Sequence, residues 1–144
     1  MLQKQISIFV ENKRGRLAEI TKVLGDNDID MRALSIADTT DFGILRIIAD
    51  KPDLAEKVLR DEGFAVSITE VIALSVEDKP GGLASALCVF DEHDINIEYV
   101  YHFISKKTGR AAIIVRVDNP AEVFEKLKGT SLNLLTSTDL ENIY

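Results

Sequence analysis

The residues VENKRGRLA at positions 10–18 recur, with six identities in nine, as VEDKPGGLA at positions 76–84. An internal repeat decides the architecture before any single motif does, and this one extends in both directions. Upstream, Ile6, Ile8 and Val10 alternate as Ile72, Leu74 and Val76 do, the period of two expected of a strand with one buried face. Gly15 and Gly81 then break the alternation and a helical spacing begins. Leu17, Ile20 and Leu24 share one face in the first copy; Leu83, Ala86, Leu87 and Phe90 do so in the second. Cys88, next to Leu87, is expected in the core beside them.

Downstream the two copies stay in step. The polar clusters DNDID (26–30) and EHDIN (92–96) end the helices, and second strands follow over 31–37 and 97–105. DTTDFG (38–43) and SKKTG (105–109) turn into third strands over 44–49 and 111–117. The offset grows there from 66 to 68 residues, as a two-residue change in hairpin length requires. DKP (50–52) and DNP (118–120) open short helices over 52–62 and 120–128, with proline in the first turn, where its missing N–H costs nothing. Gly63 and Gly129 stop them, and fourth strands over 64–69 and 132–136 close each unit. The expectation is an α+β protein of two tandem ferredoxin-like βαββαβ domains, residues 1–69 and 70–144. Each would have a four-stranded antiparallel sheet with two helices on one face. Residues 69–70 alone would hinge the last strand of one copy to the first strand of the next.

Composition bounds the function. The 144 residues are 46% apolar and 28% charged, the make-up of a soluble globular protein. A formal charge of −7 and a pI near 4.8 oppose nucleic acid or anionic membrane as partners, since both select basic surfaces. No apolar run approaches the roughly 20 residues that span a bilayer, and Gln and Lys interrupt the N-terminal residues where a signal peptide would be apolar. One cysteine excludes an internal disulfide framework and a Cys-based zinc site. A cytoplasmic protein with no metal and no cofactor is expected.

The doubled unit, with its turn NKRGRL or DKPGGL after the first strand and its DIDM or DINIE at the second, resembles tandem ACT domains over essentially the whole chain. These are small regulatory modules that bind amino acids. The ACT half of the acetolactate synthase regulatory subunit is similar, and the nearest shape is a free-standing pair. The resemblance implies an amino-acid-binding, allosteric regulatory protein acting on a metabolic enzyme encoded elsewhere. A ferredoxin-like sheet with helices on one face leaves its other face open, and a homodimer is the simplest expected cover. In ACT-type modules the ligand lies between two domains. Carried over by position, one site combines Asn12, Gly15, Arg16 and Leu17 with Asn96 and Ile97. The other combines Asp78, Gly81, Gly82 and Leu83 with Asp30 and Met31.

The chemistry suits those residue types. A carboxylate finds donors at a helix start, where the first N–H groups lack intrahelical partners and the dipole is positive. Glycine before that helix lets a ligand approach the backbone. Asn12, Asp78, Asp30 and Asn96 offer acceptors to an ammonium. Pro80 and Gly82 make the second loop stiffer and barer than the first, where Arg14 and Arg16 flank the glycine, so the sites are expected to be unequal.

Plainer readings accompany each residue. Gly15 and Gly81 also serve a tight turn, while Asn12, Asp78, Asp30 and Asn96 also serve as turn residues bonding their own backbone. His93 reads as a solvated helix end. Tyr99, Tyr101 and Phe103 alternate like a base-stacking strand, but without basic company they read as packing against a neighbour. No catalytic triad, phosphate loop or dinucleotide fingerprint is present. KRGR at 13–16 is only a faint echo of an arginine phosphate loop, so no enzyme is expected. The alternative is a ligand-free interaction module that dimerises through its sheets or helices.

Overall fold

The first strand is not buried on one face only, as its sequence alternation suggests: Gln5 and Ser7 are buried along with Ile6 and Ile8. The computed structural model describes residues 2–38, 41–103 and 109–143. Its elements are β1 (Gln3–Glu11), α1 (Arg16–Asp26), β2 (Met31–Asp38), β3 (Phe42–Ala49), α2 (Pro52–Asp61), β4 (Ala65–Glu77), α3 (Gly82–Glu92), β5 (Ile97–His102), β6 (Arg110–Val117), α4 (Pro120–Leu127), β7 (Asn133–Leu134) and α5 (Ser137–Ile143). The chain divides into two compact units, Lys4–Thr69 and Glu70–Tyr144 with Met1–Gln3.

In the first unit β3 lies between β2 and β1, antiparallel to both, and β4 is the neighbour of β1 on its other side. Ile6 stands opposite Ile47 and Ile8 opposite Leu45, so these side chains share one face of the sheet. Ile20 and Leu24 of α1 and Ala55 and Leu59 of α2 join the same cluster, which places both helices against that face. Burying one Ile or Leu of this kind is worth about 1.5–3 kcal/mol, and the sheet residues of this face supply most of the set.

The second unit repeats the plan. Antiparallel β6 pairs β4 and β5, and β7 pairs β4 from the other side. Ile72, Leu74 and Val76 of β4 and Ile113, Val115 and Val117 of β6 meet Ala86 and Phe90 of α3 and Val123, Phe124 and Leu127 of α4. Even the irregularities recur. A register shift falls between Met31 and Ala33 in β2 and between Ile97 and Tyr99 in β5, at equivalent repeat positions.

Three further expectations need correction. The strands foreseen on either side of residues 69–70 are one uninterrupted 13-residue strand, β4. No glycine, proline or turn residue stands at that hinge, and Val66, Ile68, Thr69, Val71 and Ile72 all favour extended backbone. The fourth strand of the second copy shrinks to Asn133–Leu134, because the chain turns into α5. Cys88 is exposed rather than buried, since the buried stripe of α3 runs through Ala86 and Phe90 and leaves position 88 off it. Strand β5 ends at His102; residues 104–108, in the expected strand and its turn, lie outside the described residues, as do Thr39 and Thr40 of the first hairpin. No helix is long and apolar enough to cross a membrane among the described residues.

The helix α5 has a local cause. Thr136 and Asp139 form a reciprocal capping box: the Asp139 carboxylate accepts the Thr136 amide (2.7 Å) and hydroxyl (2.8 Å), and the Asp139 amide donates to the Thr136 hydroxyl (3.2 Å). These bonds, the backbone one first, hold the Asp139 carboxyl below its ordinary value of 3.8. A folded-state pKa below the unfolded one means that the stabilisation is present above the unfolded value and lost as pH falls through the folded one. Asp139→Asn is therefore expected to melt below the parent near pH 7, with the gap closing as the pH drops under 3.8. A gap independent of pH would show that the carboxylate charge is irrelevant to the cap.

Candidate ligand-binding site

Strand β1 releases the chain at Glu11, and three short backbone bonds then fold the loop. Asn12 N–H donates to Asp41 O (3.0 Å), Lys13 N–H to Glu11 O (2.7 Å) and Arg16 N–H to Lys13 O (3.3 Å). The second copy repeats them: Asp78 N–H to Gly109 O (3.1 Å), Lys79 N–H to Glu77 O (3.0 Å) and Gly82 N–H to Lys79 O (3.0 Å). Each loop ends in a glycine that caps the following helix from the left-handed region, Gly15 at φ 88° and Gly81 at φ 85°. A side chain there is strained, which is why glycine stands at both.

The consequence is chemical. Ser, Thr, Asp and Asn are the preferred side chains for capping the amides of a helix's first turn. α1 and α3 have no side-chain cap, as α2 and α4 have none, and what sets α1 and α3 apart is the left-handed glycine in front of them. The first helical amide of each is used by the loop. The next two, Leu17 and Ala18 in α1 and Leu83 and Ala84 in α3, have no acceptor among the described residues. Two adjacent donors at the positive end of a helix form an anion cradle.

Carboxylates stand close by. Glu11 pairs with Lys13 at 2.8 Å, and Glu77 with Lys79 at 2.5 Å. The hydrogen bond and charge of Lys13 hold the Glu11 carboxyl below its ordinary range, and Lys79 does the same for Glu77. Both are ionised at neutral pH, each paired with the lysine of its own loop. Arg16 leans on Glu19 at 3.0 Å, so its guanidinium is engaged along the helix.

A cavity of about 230 Å³ adjoins the α1 start, with Asn12, Arg16 and Leu17 on its rim and Val10, Ile36, Gly43 and Leu45 as its walls. It is smaller than the roughly 300–1,000 Å³ of pockets for drug-sized ligands and suits a small metabolite. Two further cavities occupy equivalent places in the two copies. One, of about 300 Å³, has Phe9, Glu19 and Phe42 on its walls; the other, of about 250 Å³, has Ser75, Ser85 and Arg110 at the matching positions. Arg110 donates from Nε to Ser75 Oγ (2.7 Å) and from a terminal nitrogen to Ser75 O (3.1 Å).

The residues expected from the sequence fall as follows. Asn12, Arg16 and Leu17 line the first cavity, and Gly15 caps the helix beside it. Gly81 caps α3, and Gly82 lines the polar cavity of the second copy. Asp78 and Leu83 are exposed around that helix start. The bareness of Gly82 has an internal cause: a Cβ on it would lie 2.0 Å from the Glu77 carbonyl oxygen. The close approach it permits is by the protein's own backbone. Asp30 and Asn96 are exposed and immediately precede β2 and β5, while Met31 and Ile97 pack half-buried on the two cores. The Asp30 amide donates to Asp50 Oδ1 (2.9 Å). Within one unit this end of the sheet is remote from the glycine loop: Met31 pairs with Ala49 and Val10 with Gly43. Six residues of β3 at about 3.3 Å each put roughly 20 Å between them. The walls Ile36, Gly43 and Leu45 were not foreseen. Their signal was the strand register, which sets Ile36 opposite Leu45.

The family model described as an ACT domain pair matches residues 1–144. The solved protein BT0572 from Bacteroides thetaiotaomicron is 44% identical, with a TM-score of 0.89 over 97% of this chain and 96% of that one. The regulatory subunits of aspartate kinase from Thermus flavus and Thermus thermophilus superpose with TM-scores of 0.63 and 0.62 at 17% and 18% identity. In both cases the match covers 87% of this chain and 88% of the other, a likeness of fold alone. None of the curated proteins matches.

Three glycine substitutions separate the local roles. Gly15→Ala and Gly81→Ala meet no neighbour within 4 Å and pay only for positive φ, so each is expected to cost about 1–2 kcal/mol in denaturant unfolding. Gly82→Ala is expected to cost more than either, because its methyl collides with the Glu77 carbonyl. Equal losses at all three would contradict this assignment.

Proposed function

We propose that this chain, which belongs to the ACT domain pair family, is a regulatory protein that binds a free amino acid and couples its binding to assembly or to a partner enzyme of amino-acid metabolism. The observation that carries the reading is the pair of unserved amides, Leu17 with Ala18 and Leu83 with Ala84, behind glycine caps that occur twice. A zwitterion complements such a place. Its carboxylate takes the two amides, and its ammonium takes an ionised carboxylate such as Glu11 or Glu77, or the amide oxygen of Asn12.

On this reading the chain is two ferredoxin-like domains, residues 1–69 and 70–144, each with four antiparallel strands and two helices on one face. Asn12, Gly15, Arg16 and Leu17 form one half-site and Asp78, Gly81, Gly82 and Leu83 the other. Because the second-strand residues of the same domain lie far from the loop, the remaining contacts, Asn96–Ile97 and Asp30–Met31, come from a different domain, in the same chain or in the second copy of a homodimer. The protein acts in the cytoplasm and does no chemistry on its ligand. A ligand bound only to the folded, assembled state stabilises that state by RT ln(1 + [L]/Kd), about 2.7 kcal/mol at a hundredfold excess over Kd.

Thermal melts of the full chain against each of the twenty amino acids test this. One amino acid, or a small group of related ones, is expected to raise the Tm by several degrees. Gly15→Asp and Gly81→Asp supply a carboxylate of their own to the same amides, in a residue that tolerates positive φ, and are expected to diminish the rise. A Tm indifferent to all twenty would leave the chain a ligand-free interaction module.

A further inference from the structure

The walls of the first cavity differ in kind from its rim. Its polar groups, Glu11, Asn12, Lys13 and Arg16, all belong to the β1–α1 junction. The rest is hydrocarbon: Val10 and Leu45 are buried in the floor, and Leu17 and Ile36 present large apolar side chains that are 43% and 49% exposed. Gly43, directly opposite Val10 in the sheet, adds no side chain to the space. Exposed Leu and Ile side chains bordering one cavity remain in contact with water until something apolar enters it.

The repeat supplies an internal comparison. Leu45 corresponds to Ile113 and Val10 to Val76, so the floor is aliphatic in both copies. Ile36 stands opposite Leu45, and at the same place in the second copy His102 stands opposite Ile113. An exposed imidazole replaces the exposed aliphatic wall. The copies have kept one scaffold and diverged in the side chain that faces the ligand space.

We infer that the N-terminal cavity selects an amino acid with a branched aliphatic side chain, held against Leu17, Ile36 and Leu45, while the α1 amides and the β1–α1 junction take its polar head. This rests on the amino-acid reading above and narrows it to a ligand class at one site. Each additional methylene buried there tightens binding roughly fourfold, so affinity rises from glycine through alanine and valine to leucine or isoleucine.

Calorimetric titration of the full chain with glycine, L-alanine, L-valine, L-leucine, L-isoleucine, L-serine and L-aspartate tests the inference. The expected result is that ascending order, with serine and aspartate binding no better than alanine. Ile36→Ser, at a half-exposed position on an edge strand where folding tolerates a polar residue, is expected to reduce the leucine-to-glycine affinity ratio at least tenfold. Ile36→Val preserves most of it. If serine or aspartate binds tightly and the aliphatic series does not, or if Ile36→Ser leaves the ratio unchanged, the selectivity is overturned while amino-acid binding stands. If none of the seven amino acids binds, and none of the twenty alters the Tm, both readings fall together.

Discussion

A helix that begins behind a left-handed glycine has nothing to offer its own first-turn amides. That constraint organises the rest of this molecule. The strand before the glycine must stop early enough for the loop to fold on three backbone bonds, and those bonds consume only the first amide of the helix. The two donors left over would cost free energy if sealed from solvent. They are instead at the surface: Ala18 and Leu17 are exposed, as are Leu83 and Ala84. The same geometry places an ionised glutamate and its lysine at the strand exit in both copies, so donors and acceptors stand together without any conventional catalytic group.

Duplication preserved this junction and the sheet that holds it, down to the register shifts in β2 and β5. What it did not preserve is the chemistry facing the space around the helix start. Phe9 and Phe42 of one copy correspond to Ser75 and Arg110 of the other, and Ile36 to His102. Strand pairing constrains backbone spacing and the parity of side chains; it leaves the outward identity of an edge residue free. Two junctions with one backbone plan and unequal surroundings are the natural result.

The repeat made most of the fold legible. Period-two alternation in β1 and β4, glycine ahead of α1 and α3, and proline at the start of α2 and α4 are local signals with local causes. Other features depend on information that no local pattern holds. The continuity of β4 through residues 69–70 was hidden by the expectation that a domain boundary needs a turn, although the residues there are plainly strand formers. The capping box of Thr136 and Asp139 announced α5 in the sequence but was masked by reading residues 132–136 as strand. The role of Gly82 depends on a carbonyl five residues earlier in the chain, and Cys88 escapes the core only because of where α3 rotates. At the site, glycines and polar loop residues could be singled out, but the apolar walls could not, because an aliphatic residue in an edge strand reads as core until its neighbours are known.

Amide-resolved NMR of the full chain addresses the central claim most directly. On addition of an equimolar mixture of the twenty L-amino acids, the N–H resonances of Leu17 and Ala18, of Leu83 and Ala84, or of both pairs are expected to move furthest downfield, as new acceptors reach them. A spectrum in which these four amides stay fixed, whether others move or none does, would contradict the account.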